Sequence, residues 1–143
     1  MLFKKMAQRI KTVKITTKGQ GFYEFTSDII KYVNNAKIKI GLLTIFVKHT
    51  SCSLLIQENA DSDVQKDLLN FFSKTVPENE NYIHQSEGSD DMPAHIKSAL
   101  TNNQLTLSIK NKKLMLGTWQ GLYLFEHRLE QHTRTLSHHL FGE

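Results

Sequence analysis

Leu105, Leu107 and Ile109 alternate with Thr106 and Ser108. In an extended chain successive side chains point to opposite faces, so residues 104–110 are predicted as a half-buried strand. A partial alternation rich in β-branched residues predicts a strand at 9–17, followed by a turn over 18–21. Residues 38–49 form the most apolar extended run and are predicted as a central strand. A bend at Thr50 leads into a strand over 51–57. Asn111-Lys112 is predicted as a tight turn that sends 113–116 back along its neighbour. The GTWQG stretch (117–121) breaks that return, and strands follow at 122–130 and 133–140.

A different period marks three helices. Ile29, Ile30 and Val33 share one face of a helix capped by Thr26 or Ser27 and ending near Asn35. Asp61 is placed to cap a second helix running to Lys74, with Val64, Leu68, Phe71 and Phe72 at helical spacing toward the core. A third starts at Pro93, whose missing N–H costs nothing in a first turn, and runs to about Leu100. Asp90 or Asp91 is expected to accept from its first N–H groups, and Asn102 or Asn103 to end it. Hairpins mixed with a few short helices predict an α+β fold: one domain over residues 1–143 with a largely antiparallel sheet. No glycine-rich loop follows a strand, which excludes dinucleotide-binding and P-loop readings.

Composition narrows the picture. At 143 residues with 39% hydrophobic positions, the chain can bury a core without staples. No apolar run reaches the ~20 residues needed to cross a membrane. The start, MLFKKMAQRIK, has no secretory h-region. A single cysteine, Cys52, excludes an intrachain disulfide, so a cytoplasmic protein is expected. Within TSCSLLI its thiol reads as buried and inert. The net charge of +4 is carried by dispersed lysines, with short runs at Lys4-Lys5 and 110–113 and no interleaved aromatic platform. No nucleic-acid partner is therefore expected. A solvated basic surface or attraction for an anionic metabolite accounts for the charge.

Candidate chemistry concentrates in YIHQSEGSDDMPAH (82–95), where two histidines, a glutamate and two aspartates share a polar loop running into a helix. Of seven histidines, His49, His84, His95 and His127 stand beside other polar groups at element ends. Three neutral imidazoles and an open position make a catalytic zinc site. His84, His95 and His127 offer that set, although no HExxH-type spacing supports it and each also reads as a surface or hydrogen-bonded residue. Glu87, Asp90, Asp91 and Glu126 are in supply to orient the imidazoles. Glu58 reads either as a general acid or base or as part of the turn before the Asp61 cap. Ser51 and Ser53 either bind phosphate or bond to the backbone in the bend. Arg128 either meets an anion or forms an exposed ion pair. His138 and His139, adjacent on a strand, must face opposite ways.

Three long stretches, HTSCSLLIQENADSDVQKDL from His49, YIHQSEGSDDMPAHIKSAL (82–100) and GTWQGLYLFEHR (117–128), with GFYEFTSDI (21–29), resemble the YjbQ-like family, often labelled secondary thiamine-phosphate synthases. Cys52 stands where the family commonly has alanine. The resemblance implies an α+β fold, a homotrimer, and a histidine-lined site for zinc or a similar divalent metal. His84, His95 and His127 are the implied ligands, with His49 as a fourth ligand or a base. Glu58, Asp61, Glu87, Asp90 and Asp91 fall on its acidic positions. His49, Glu58, Glu87 and Asp91 are accordingly expected as catalytic groups, and Ser51, Ser53 and Arg128 as contacts to a small phosphorylated metabolite. Joining a pyrimidine methyl diphosphate to a thiazole phosphate expels pyrophosphate, for which a metal, Lys48, Lys97 or Arg128 would provide positive charge. That reaction usually uses magnesium on oxygen ligands, whereas three histidines suit zinc. The expectation is a metal-dependent enzyme with at most a secondary thiamine-phosphate synthase activity; a non-catalytic metabolite- or metal-binding protein is the alternative.

Overall fold

A computed structural model describes residues 5–143; residues 1–4, which include Lys4 and the start of the segment read for a signal, lie outside the described residues. In chain order the elements are β1 (Ala7–Thr16), β2 (Gly21–Glu24), α1 (Thr26–Ala36), β3 (Ile40–Val47), β4 (Cys52–Glu58), α2 (Ser62–Thr75), α3 (Asp91–Leu100), β5 (Gln104–Lys110), β6 (Lys113–Leu114), β7 (Gln120–Glu126) and β8 (Thr133–Gly142). All strand pairs are antiparallel. They form two sheets, ordered β1-β8-β3-β5-β6 and β2-β7-β4. The α+β architecture with short helices follows from the hairpin pattern, but the strands divide between two sheets.

The apolar run of β3 does lie centrally, between β8 and β5. Leu43, Ile45 and Val47 point inward and meet Leu136 and Leu140 of β8, Leu105, Leu107 and Ile109 of β5, and Ile29 and Val33 of α1. Leu54, Leu122 and Leu124 bring the smaller sheet into the same core. Asn111 and Lys112 both adopt positive φ, at 52° and 65°, as the tight β5–β6 connection requires.

Several boundaries differ from expectation for local reasons. β2 lies in a stretch read only as a turn and its exit; its edge pairing with β7 gives it an extended form that its glycine-flanked sequence does not signal. Thr26 does not cap α1; its Oγ1 accepts from the Leu122 N–H at 2.9 Å, and the N-cap position is Phe25. Asp61 does cap α2, accepting from Asp63 N–H at 2.9 Å. α2 nevertheless buries no residue, and Phe71 is exposed. Its apolar stripe is only partly covered, chiefly where Phe72 packs edge-on against Phe125 with centroids 5.3 Å apart. α3 begins at Asp91, before Pro93, and ends on an extended Thr101, with Asn102 bridging to Leu54 instead of closing the helix in a left-handed turn. β7 stops at Glu126 because its carboxylate accepts from the backbone N–H groups of both His127 and Arg128 and turns the chain out of the sheet.

Among the described residues no helix is long and apolar enough to cross a membrane.

Candidate functional site

The antiparallel register determines where the polar stretches meet. Cys52 opens β4 opposite Glu126, the last residue of β7, and Val47 ends β3 opposite Leu136 near the start of β8. The segments that follow these ends, 48–51 and 127–132, therefore leave the sheets side by side. α3 packs against β4, and its N-terminal end comes to the same place: the His95 ring meets the Thr50 carbonyl, and Ser98 Oγ donates to Cys52 O at 3.0 Å.

Asp91 is the centre of the arrangement. It is 1% exposed, and its two oxygens serve different partners. Oδ1 accepts from Arg128 Nη1 at 2.6 Å, while Oδ2 lies 2.7 Å from His84 Nε2 and 3.2 Å from His95 Nε2. His95 follows Asp91 by four residues, so both side chains share one face of α3. One ligand atom from each of His84, Asp91 and His95 lies within 4.8 Å of the others. Burial alone would raise the Asp91 carboxyl; the bond with His84 and the positive charge around it, Arg128 included, hold it below the ordinary carboxylate value instead.

The tautomer of His95 follows from its other nitrogen. Nδ1 lies 2.9 Å from the Thr50 carbonyl, a group that can only accept, so Nδ1 carries a hydrogen. In the neutral ring Nε2 is then a lone pair facing a carboxylate oxygen. Two acceptors at 3.2 Å require either a second proton on the ring or a cation between them. Two imidazole nitrogens and one carboxylate oxygen, with an N–H···O=C bond behind one ring, fit a zinc-type centre.

Arg128 is not free to meet a substrate. Its Nε donates to Asp90 Oδ2 at 2.9 Å, Nη1 to Asp91 and Nη2 to the Glu87 carbonyl at 2.8 Å. Expected as an exposed ion pair or an anion contact, it is a mostly buried clamp joining the 82–90 loop to the end of β7. Asp90 is not the expected side-chain cap; it accepts from Arg128 and from Leu129 N–H.

The other expected groups occupy distinct places. His127 is 1% exposed; its Nε2 bonds Ser53 Oγ at 2.9 Å and its Nδ1 has no partner. It is absent from the His84–Asp91–His95 grouping. Burial, then the charges of Lys97 and Arg134, push its pKa down to about 3. His49 Nε2 accepts from Thr135 N–H at 2.8 Å, so the neutral ring carries its hydrogen on Nδ1 and can donate there, but cannot take a proton at Nε2 without losing that bond. Burial and Arg134 lower its pKa. Ser51 contributes its carbonyl to Arg134 Nη2. Glu87 is exposed, with its carbonyl used by Arg128. Glu58 ends β4, whereas Ser53 lies near its start; at about 3.3 Å per residue they are roughly 17 Å apart, so Glu58 does not join this cluster. The Cys52 thiol is buried and pushed up to about 12, the inert state expected of it.

Arg134 was missed by the sequence reading. It is 3% exposed and pairs with Glu126 through Nε (2.7 Å) and Nη2 (2.5 Å). Glu126 also accepts from Thr17 Oγ1 at 2.9 Å. An arginine at an inward-facing strand position, next to Leu136 and His138, was the available signal.

Comparison with known proteins agrees with this architecture. The family described as "UPF0047 protein YjbQ-like" matches residues 11–143. A UPF0047 protein of Synechocystis sp. is 51% identical over 130 residues, covering 90% of this chain and 88% of its own. The UPF0047 protein YjbQ of Escherichia coli O157:H7 is 41% identical over 134 residues, covering 93% and 97%. Among solved structures, a YbjQ-like protein of unknown function from Sulfolobus solfataricus P2 superposes with a TM-score of 0.90 at 21% identity, over 97% of this chain and 100% of that one. An uncharacterized YjbQ/UPF0047 protein from Clostridium acetobutylicum reaches 0.78 at 33% identity, over 87% and 95%. The chain belongs to the YjbQ-like UPF0047 family.

Proposed function

We propose that the chain is a divalent-metal-dependent enzyme acting on a small phosphorylated metabolite, with His84, Asp91 and His95 as the metal ligands. The observation that carries this reading is the facing of His95 Nε2 and Asp91 Oδ2, two acceptors brought together by a bond that commits Nδ1 to Thr50. A bound zinc ion with three protein ligands supplies Lewis acidity and lowers the pKa of its water. The chain's own groups do the positioning: Arg128 occupies Asp91 Oδ1 and leaves Oδ2 for the imidazoles, and Thr50 holds the His95 ring. His49 is placed to donate from Nδ1. His127, implied as a ligand by the family resemblance, gives up that role here to Asp91.

The test is metal content per chain and metal-dependent turnover of phosphorylated substrates. About one zinc per chain is expected in the wild type, and none in His95→Ala, which should remain folded. Equal zinc in both proteins, or none in either after zinc is added, would remove the reading. Zinc binding without turnover of any phosphorylated substrate would favour the non-catalytic metal-binding alternative. Thiamine-phosphate synthesis ranks below a zinc-assisted reaction, because departure of pyrophosphate is usually served by magnesium on oxygen ligands. Product formation from the pyrimidine diphosphate and thiazole phosphate with magnesium, unaffected by His95→Ala, would reverse that order.

The proposal includes assembly as a homotrimer. Leu42 and Phe141 pair across β3 and β8 on the outer face of the larger sheet, and Phe46 and Ile10 are exposed on the same face. An apolar stripe of this kind marks an association surface. Sedimentation equilibrium should give a trimer for the wild type and a lower mass for Phe46→Glu. A monomeric wild type would exclude it.

A further inference from the structure

A cavity of about 300 Å³ is lined in part by His127 and does not include Ser53. Its walls include Leu69, Phe72 and Phe125, and its polar groups include Asn70, Lys97 and His127. Lys97 and His127 are unusual for opposite reasons. Lys97 is 4% exposed, and among the described residues its ammonium has no hydrogen bond or ion pair. His127 Nδ1 is buried with no partner. A buried polar atom left unbonded is destabilising, so His127 Nδ1, with the unpaired Lys97 on the same cavity, calls for an explanation.

The nearby carboxylates do not neutralise Lys97 by contact. Glu126 is committed to Arg134, Thr17 and two backbone N–H groups. Asp90 is held by Arg128 and Leu129. Glu78, which attracts Lys97 electrostatically, accepts from Gln20, whose amide also holds the His127 carbonyl at the rim. The Ser53 hydroxyl can donate to His127 Nε2, which puts the ring hydrogen on Nδ1 without moving the imidazole. The residues lining the cavity then include an ammonium, a ring with its hydrogen on Nδ1 and two aromatic walls. Its volume is at the small end for metabolite sites.

We infer that this cavity is a phosphate-binding subsite for a small organophosphate, with Lys97 Nζ and His127 Nδ1–H as donors and Phe72 and Phe125 packing the organic part. The inference rests on the proposed reading only for the kind of metabolite; the subsite is argued without the metal.

The test is calorimetric titration of the full chain with inorganic phosphate after metal has been stripped with chelator. Saturable binding at one site is expected. Lys97→Met should weaken it about tenfold or more, since a charge-assisted donor is lost. Lys14→Met, on an exposed lysine of β1, should leave it unchanged. No saturable binding, or equal binding by wild type and Lys97→Met, would overturn the inference. Should Lys97→Met not fold, nitrogen NMR of the wild-type His127 ring decides: phosphate must shift its Nδ1 resonance, and an unmoved resonance at saturating phosphate overturns the subsite. Because the metal is removed, phosphate binding by a chain that takes no zinc would keep this subsite and discard the metal centre, and zinc binding without phosphate binding would do the reverse.

Discussion

Replacing Glu126 with alanine is expected to destabilise the protein by about 3–5 kcal/mol, the usual cost of removing one partner from a buried ion pair. Glu126 is fully buried and Arg134 is 3% exposed. Truncation strands the guanidinium away from water and leaves it only the Ser51 carbonyl at 3.2 Å. It also takes the acceptor from Thr17 and from the N–H groups of His127 and Arg128, so the bend that delivers Arg128 to Asp91 loses its anchor. Burial alone would raise the Glu126 carboxyl, but the bonds from Arg134 and the backbone outweigh it and lower the pKa. Urea unfolding of wild type and Glu126→Ala measures the difference. A loss below about 1 kcal/mol, the level of an exposed pair, would show that the ion pair is not sealed from solvent. If the proposed metal centre holds, Glu126→Ala also weakens zinc binding, through the released Arg128.

The second large effect is on acid stability. Burial lowers the pKa of His127 to about 3 and that of His138 to about 4, against an ordinary value of 6.5. Lys97 and Arg134 add to the first shift; Lys11 adds to the second, which Asp28 opposes. Both folded values are depressed, so the unfolded chain takes up these protons first as pH falls. The stability from the two neutral rings is complete above pH 6.5 and is lost as pH falls toward the folded values. Each ring contributes a slope approaching about 1.4 kcal/mol per pH unit, or about 4 kcal/mol for the pair between pH 6.5 and 4.5. Asp90, Asp91 and Glu126, with lowered values, withdraw their contributions further down, below about pH 4. Urea midpoints at pH 7.5, 5.5 and 4.5 should fall steadily, and His138→Leu should show roughly half the slope. Constant midpoints over that range would mean that the rings are hydrated in the native state.

The cost of burying these groups bears on function as well. His127 Nδ1 and His138 Nε2 are the buried side-chain atoms without partners among the described residues. His127 shares its cavity with the buried Lys97, whereas the lysines on the cavity beside His138, Lys11 and Lys31, are exposed.

Much of this was legible along the chain. The alternation at 104–110, the apolar run that became β3 and the Asp61 cap each depend on neighbours a few residues away, and local physical chemistry determines such features. The clustering of ionisable groups in 82–95 marked the candidate site for the same reason. Asp91 and His95 are four residues apart, so helix geometry alone puts them on one face. The short edge strand β2 and the exposure of Phe71 were not legible, since edge pairing and the partial covering of α2 depend on elements distant in sequence. The same limit applies to Arg128 and His127. Adjacency and strand alternation separate them, but nothing local says that one clamps two carboxylates while the other turns to Ser53 and a cavity. By itself the sequence determined the fold class and the family, and pointed to residues 82–95 as a candidate site. The tertiary structure alone decided which side chains meet, because β4–β7 register and the turn at Glu126 bring together residues more than seventy positions apart, such as Ser53 and His127 (74 apart).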